Sequence, residues 1–168
     1  MINEEMVVLV DEQDNEIGLM GKMAAHREGR LHRAISIFLF NDQGQMLLQQ
    51  RAFSKYHSGG LWSNTCCSHP RQNESILDAA HRRLFEEMGI RCELKKAFDF
   101  IYKVELDKGL TEHEFDHVLV GKYNGEPVLN HDEAASWKWV DVDLLVKDVD
   151  INPENYTAWF KIALSQFA

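Results

Sequence analysis

The chain has 168 residues, 45% of them hydrophobic, which fills one core well and is short for two, so a single domain spanning 1–168 is expected. Lysines and arginines number 18 against 27 acidic residues; the net charge of −9 argues against a general nucleic-acid surface and requires that any anionic substrate find its positive surroundings locally. No stretch approaches the ~20 apolar residues of a membrane span, and Met1–Met6 is acidic where a secretion signal would be basic and then apolar, so a cytoplasmic protein with no membrane attachment and no obligate protein partner is expected.

The first apolar run, Met6 to Val10, reads as a short buried strand, and the polar stretch Asp11 to Glu16 as the turn after it. Ala34 to Phe40, the turn Asn41 to Gly44 and Gln45 to Arg51 read as a hairpin. A loop with Gly59 and Gly60 leads to a further strand, Leu61 to Cys67. From Ser75 to Met88, Ile76, Ala80, Leu84 and Met88 recur every four residues, which predicts a helix with Asn73 or Ser75 as N-cap and Gly89 as its stop. Strands are expected over Ala97–Leu106, Thr111–Tyr123 and Trp137–Val140. Pro153 sits where a first helical turn would begin, and Tyr156, Trp159, Phe160, Ala163 and Phe167 form the apolar stripe of a closing helix. Mixed strands with two main helices outside them make an α+β domain, a mixed sheet core flanked by helices, without internal repeats.

Three cysteines, two of them adjacent at Cys66 and Cys67, argue against a disulfide framework and fit reduced thiols. Cys67, Ser68 and His69 place a thiol, a hydroxyl and an imidazole side by side where strand gives way to loop, which suits a site as well as it suits a core cysteine beside a surface histidine. In Thr111–His117, strand alternation puts Glu112 and Glu114 on one face and His113 on the other. Two carboxylates side by side repel unless a proton or cation lies between them; a solvated face is the plainer account of them alone. His26 and His32 precede the first long strand, and with His69 they would complete three imidazoles and two carboxylates, a set suited to a six-coordinate divalent ion.

Ser68 to Ile90 resembles the Nudix box: Glu74, Arg82, Leu84, Glu86, Glu87 and Gly89 stand at its intervals, while Ser68 replaces the leading Gly and Arg83 replaces the first Glu of the helical part. In the hydrolases that Glu helps hold the metal that activates water, so a cation there disables the arrangement and suggests the Nudix fold without its hydrolysis. Arg83 and Glu87 share a helix face, either as an ordinary ion pair or as a pair aimed at a metal–diphosphate.

The phrases KMAAH (22–26), RLH (30–32), RAFSK (51–55), WSNTCCSHP (62–70), the altered Nudix helix and EHE (112–114) together resemble the flavin-independent, metal-dependent isopentenyl-diphosphate isomerases, from about Met6 to Phe160. The resemblance implies interconversion of isopentenyl and dimethylallyl diphosphate through a carbocation. It further implies that Cys67 and Glu114 are the catalytic pair, with Tyr102 beside the carboxylate. His26, His32, His69, Glu112 and Glu114 would bind one Mg, Mn or Zn ion, and Glu87 a Mg ion bridging to the diphosphate. Lys22, Arg51, Lys55, Ser68 and Arg83 match positions around the phosphates, and Trp159 an aromatic wall of the pocket. The reaction adds a proton to the terminal alkene carbon and removes another from the neighbouring methylene. An acid and a base must therefore face each other across the substrate; Glu114 is assigned as donor and Cys67 as the group at the methylene, with Trp62 or Trp159 able to stabilise the cation. The rival readings are a Nudix hydrolase of an organic diphosphate and a non-catalytic metal-binding module.

Overall fold

The computed structural model describes residues 5–167. Met1–Glu4, on which most of the acidic reading of the chain start rests, lie outside the described residues. Among the described residues no helix is long and apolar enough to cross a membrane.

The chain runs β1 (Met6–Val10), β2 (Glu16–Gly21), α1 (Lys22–Glu28), β3 (His32–Phe40), β4 (Gln45–Arg51), β5 (Trp62–Ser63), β6 (Cys66–Ser68), α2 (Ile76–Met88), β7 (Leu94–Glu105), β8 (Thr111–Lys122), β9 (Ala134–Asp141), α3 (Val142–Ile151) and α4 (Ala158–Gln166). The fold is the expected α+β arrangement of a mixed sheet and outer helices, with four α-helices among the described residues where two main ones were expected. The 3.6-residue periodicity of α1 is lost in a segment of only seven residues, and α3 carries half of its apolar residues outward, Leu144, Val146 and Ile151. Strand β2, absent from the sequence reading, pairs antiparallel with β1 through nearly its whole length. The closing helix starts at Ala158 rather than Pro153, which opens a separate 3₁₀ turn instead; the Thr157 side chain caps the helix by accepting from Phe160 N at 3.3 Å.

α2 ends where its sequence says it should. Ser75, not Asn73, is the N-cap, its Oγ accepting from Asp78 N at 3.1 Å. Gly89 stops the helix with φ 66°, and a Cβ there would lie 2.7 Å from the Val128 carbonyl oxygen, so both conformation and space demand glycine.

The register of the central strands positions the site. β3 pairs parallel with β8 across nine residues, His32 opposite Glu114 through Phe40 opposite Lys122, and β7 pairs antiparallel with β8, placing Tyr102 opposite Glu114. Even-numbered residues of β3 and β8 therefore share one face. At one end of that face stand His32, Glu112, Glu114 and Asp116; at the other, Phe38 and Val118 join the core with Met46, Leu48, Leu145 and Phe160. Odd residues Ile35, Ile37 and Leu39 face the opposite way and pack with Ala80, Leu84 and Met88 of α2.

The expected strand Leu61–Cys67 is broken between β5, which pairs with β4, and β6, which pairs with β3. At the break, side chains take over from the ladder. Asn64 Nδ2 donates to the Ile37 and Cys66 carbonyls at 3.0 and 3.1 Å, while Thr65 Oγ1 donates to Leu47 O at 2.7 Å and accepts from Leu39 N at 3.0 Å. This jog sends Cys66 into the core under α2 and Cys67 to the opposite face, where it pairs in register with Ser36.

Candidate active site

Five of the predicted residues converge from four segments. His26 lies at the end of α1, His32 opens β3, His69 follows β6, and Glu112 and Glu114 share the inward face of β8; all five are buried. His26 Nε2 stands 3.0 Å from Glu112 Oε1, and His32 and His69 Nε2 stand 3.1 and 2.9 Å from Glu114 Oε2. The donor atoms of His26, His32, His69 and Glu114 fall within 4.8 Å of one another.

The imidazole tautomers test whether a cation fits. His26 Nδ1 meets the Lys22 carbonyl at 2.7 Å and His32 Nδ1 meets the Arg30 carbonyl at 2.9 Å; a carbonyl only accepts, so both Nδ1 atoms carry hydrogen. In the neutral ring each Nε2 is then a lone pair facing a carboxylate oxygen. Two acceptors about 3 Å apart require a proton or a metal between them, and donors bound to one divalent ion at about 2.1 Å stand roughly that far apart. The residues present fit such an ion. Burial pushes His26 and His32 down, but bonding and charge from Glu112 and Glu114 raise both above the ordinary imidazole value. Burial lowers His69. It would raise Glu112, yet the His26 and His57 imidazoles hold that carboxyl well below the usual range.

Tyr102, buried on β7, donates its hydroxyl to Glu114 Oε1 at 2.5 Å; burial and the neighbouring Glu114 push the phenol well above its ordinary value, so it remains a donor. Cys67 faces the same space. Burial, reinforced by the Asp116 carboxylate, pushes its thiol up to about 12. Its sulfur donates to Asn64 Oδ1 at 3.1 Å and accepts from Trp159 Nε1 at 3.2 Å. Trp159 lines this cavity of about 30 Å³ together with Cys67, Tyr102, Glu112 and Glu114. Trp62 does not: it lies under Lys138, whose ammonium sits 4.2 Å from its ring centre, on a different surface.

An adjoining cavity of about 40 Å³ shares Arg51, Cys67, Ser68 and His69 with the first and gathers Lys22, Lys55, Arg83 and Glu87. Every expected phosphate contact lines it. Its cations are internally neutralised: Lys22 pairs with Glu5 at 2.8 Å, Lys55 with Glu133 at 2.7 Å, and Arg83 with Glu87 at 2.6 Å. Arg51 is buried, 5.0 Å from the Trp159 ring centre, with Nε unpartnered among the described residues. Glu87 also accepts from Gln49 Nε2 at 3.0 Å. The remaining Nudix-like residues brace the scaffold: Arg82 clamps Glu74 at 2.8 Å and Glu86 at 3.0 Å.

The NUDIX domain family matches residues 30–160. Isopentenyl-diphosphate Delta-isomerase 2 of Aromatoleum aromaticum is 60% identical over 97% of this chain and 86% of its own length. Isopentenyl-diphosphate Delta-isomerase of Serratia proteamaculans is 53% identical, over 94% of this chain and 88% of its own. The chain belongs to the isopentenyl-diphosphate Delta-isomerase family. Among solved structures, DR0079 from Deinococcus radiodurans superposes with a TM-score of 0.81 over 96% of this chain and 98% of its own, and the Nudix hydrolase RenU of M. smegmatis with 0.60 over 98% and 92%; at 20% and 18% identity they show that this isomerase-family chain has the Nudix fold.

Sequence reasoning missed several residues of the isomerase-family site. Asp116 continues the Glu112, Glu114 alternation and is fully buried, accepting from Ser36 Oγ at 2.7 Å; carrying the period-two count one step further would have found it. Glu5 and Glu133 are distant in sequence from the cations they neutralise and carried no local signal. His57, buried two residues after Lys55, stands 3.1 Å from Glu112.

Proposed function

We propose that the isomerisation of isopentenyl to dimethylallyl diphosphate, the activity of this family, runs in this chain between Glu114 and Cys67. The carrying observation is that a buried carboxyl and a half-buried thiol line one cavity whose neighbour gathers four cationic side chains. Glu114, protonated, gives its proton to the terminal alkene carbon, and the alkene's electron pair forms the new C–H bond, leaving a tertiary carbocation. Cys67 as thiolate then takes a proton from the methylene next to the cationic carbon, and that C–H pair becomes the new double bond. The forward turnover thus leaves the proton on sulfur and the carboxylate bare, and exchange with solvent resets the pair; the reverse reaction starts from that second state. Burial, which pushes the thiol up to about 12, leaves the thiolate a minor but strongly basic form, and the Trp159 Nε1–H on Sγ favours it when it forms. Tyr102 orients Glu114 through its hydroxyl.

The His/Glu nest of His26, His32, His69, Glu112 and Glu114 holds a divalent cation, for which we propose Mg, Mn or Zn; when bound, it makes the protonated form of Glu114 a stronger acid. Glu87 offers a single carboxylate, which suits a Mg ion carried in by the diphosphate itself. Lys22, Arg51, Lys55, Ser68 and Arg83 surround the diphosphate, whose oxygens replace Glu5 and Glu133 on their lysines. Trp159 faces the alkene end, where an aromatic ring stabilises positive charge and excludes water. We place the enzyme in the cytoplasm, acting on this small molecule without nucleic acid, membrane or protein partner, consistent with its three free cysteines.

Arg83 stands where a hydrolase would carry a metal-binding carboxylate, and its pairing with Glu87 supports isomerisation over hydrolysis. Metal-loaded protein given isopentenyl diphosphate and Mg should form dimethylallyl diphosphate with no phosphate released. Release of phosphate or pyrophosphate without the isomer would contradict the reading.

A further inference from the structure

At the edge of the His/Glu nest, His57 also has Nδ1 held from behind, by a hydroxyl where His26 and His32 have carbonyls. Its ring is 1% exposed and wedged between Tyr56, 4.3 Å away, and Trp159, 5.4 Å away, measured between ring centres. Nδ1 is tied to Ser58 Oγ at 3.1 Å, leaving Nε2 to look inward. The backbone around it is held as firmly: Arg51 Nη2 donates to the His57 carbonyl at 3.2 Å, and Ser58, at φ 53°, donates its N–H to Asp107 Oδ1 at 3.0 Å. The Ser58 hydroxyl can accept from Nδ1–H, the tautomer that leaves Nε2 a lone pair, and a tether of this kind aims the ring as in a metal-binding histidine.

The inward nitrogen has no hydrogen-bond partner. It comes within 3.1 Å of Glu112 Oε1 but off the line a hydrogen bond needs, and among the described residues both His57 Nε2 and Glu112 Oε2 are buried polar atoms left unsatisfied. Buried polar groups are rarely orphaned, and two adjacent orphans on a nitrogen and a carboxylate are satisfied together by one cation. The ligand atoms of His26, His57 and Glu112 also fall within 4.8 Å of one another, and His26 is equally within reach of His32, His69 and Glu114.

We infer that His57 is a further ligand of the divalent cation, bringing its protein donors to four imidazoles and two carboxylates. The inference rests on the nest holding that cation and goes beyond the five-residue set. Six protein donors match the usual coordination number of Mn with no place left for water, which suits a reaction whose carbocation must be kept from water. With Glu114 among its donors, the cation would polarise that carboxyl and would not need to touch the substrate.

The test loads the whole protein with Co(II) and counts the paramagnetically shifted, solvent-exchangeable imidazole N–H resonances by proton NMR, with Co(II) affinity measured by competition against a chelating dye. Wild type should show four such resonances, and His57→Phe, which keeps the ring volume without a donor atom, should show one fewer and bind at least about tenfold more weakly. His57→Asp, which restores a donor, should recover most of the affinity without the lost resonance. Three resonances in wild type and an unchanged spectrum in His57→Phe would overturn the inference and make His57 a residue that only positions Glu112. Should His57→Phe fail to fold, judged by circular dichroism, the wild-type count of four or three decides alone. Absence of Co(II) binding altogether would instead sink the cation site itself.

Discussion

The two halves of the cavity handle charge in opposite ways. In the nest, histidine nitrogens and carboxylate oxygens face each other at 2.9 to 3.1 Å, buried, with backbone carbonyls fixing His26 and His32 from behind; only a cation or protons make that geometry tolerable. In the mouth, Lys22, Lys55 and Arg83 already hold Glu5, Glu133 and Glu87, on side chains that are partly exposed at that end except for the buried Glu87. On the function proposed above, the nest keeps its ion and the mouth trades carboxylates for phosphates. The proposed chemistry belongs to the boundary, where Cys67 and Glu114 line the same cavity.

Changes at that boundary should have the largest effect on turnover. Cys67→Ala and Glu114→Gln should each lower kcat by at least ~10²-fold while circular dichroism stays native, as for loss of a positioned proton-transfer group. Cys92→Ala, outside the cavity, should leave kcat near wild type, and Cys66→Ala should act through packing, because Cys66 lies in the core under α2. Near-normal turnover in folded Cys67→Ala would erase the distinction between the two adjacent cysteines.

Next come changes to the nest. His32→Ala combined with His69→Ala should abolish stoichiometric metal, read by elemental analysis, and with it activity; unchanged occupancy would show the ion sits elsewhere. In the intact protein, affinity should rise with pH. Burial lowers His26 and His32, but Glu112 and Glu114 raise them further, so a cation must displace protons held to a higher pH than usual, and binding weakens as pH falls through that raised range. A metal titration flat from pH 5 to 8 would contradict this.

The mouth should respond in KM and hardly in kcat. Lys55→Ala removes one charge-assisted contact and should raise KM about tenfold. Glu133→Gln removes the carboxylate that competes for Lys55 and Arg83, at 2.7 and 3.5 Å, and should lower KM. A kcat collapse in Glu133→Gln would instead give that carboxylate a part in the chemistry. Smallest of all, Ser75→Ala at the start of α2 should cost about 1 kcal/mol of stability in denaturant unfolding and leave both kinetic constants alone.

How much of this could be seen in the chain follows the same division. The nest was legible because its residues sit on regular elements or in dense phrases: the two-residue period of β8 put Glu112 and Glu114 together, and α2 announced itself through its four-residue repeat, Ser75 and Gly89. The jog at Asn64–Thr65 was not, because it depends on side chains bonding to strands β3 and β4 that are far away in sequence. The partners of the mouth were hidden for the same reason, Glu5 meeting Lys22 and Glu133 meeting Lys55 only once the fold is made. Helix α3 escaped because it leaves large apolar residues such as Leu144 and Ile151 exposed, blurring the stripe that would have marked it.

The central claim, that Glu114 and Cys67 add one proton and remove another while the diphosphate serves only as a handle, is tested most directly in heavy water. Metal-loaded protein with isopentenyl diphosphate and Mg should yield dimethylallyl diphosphate carrying deuterium in the new methyl group, because the hydron given to the alkene comes from an enzyme group that exchanges with solvent. Phosphate should stay bound to carbon throughout. Phosphate release with no deuterium in the carbon skeleton, or no reaction by correctly metallated protein, would contradict the account.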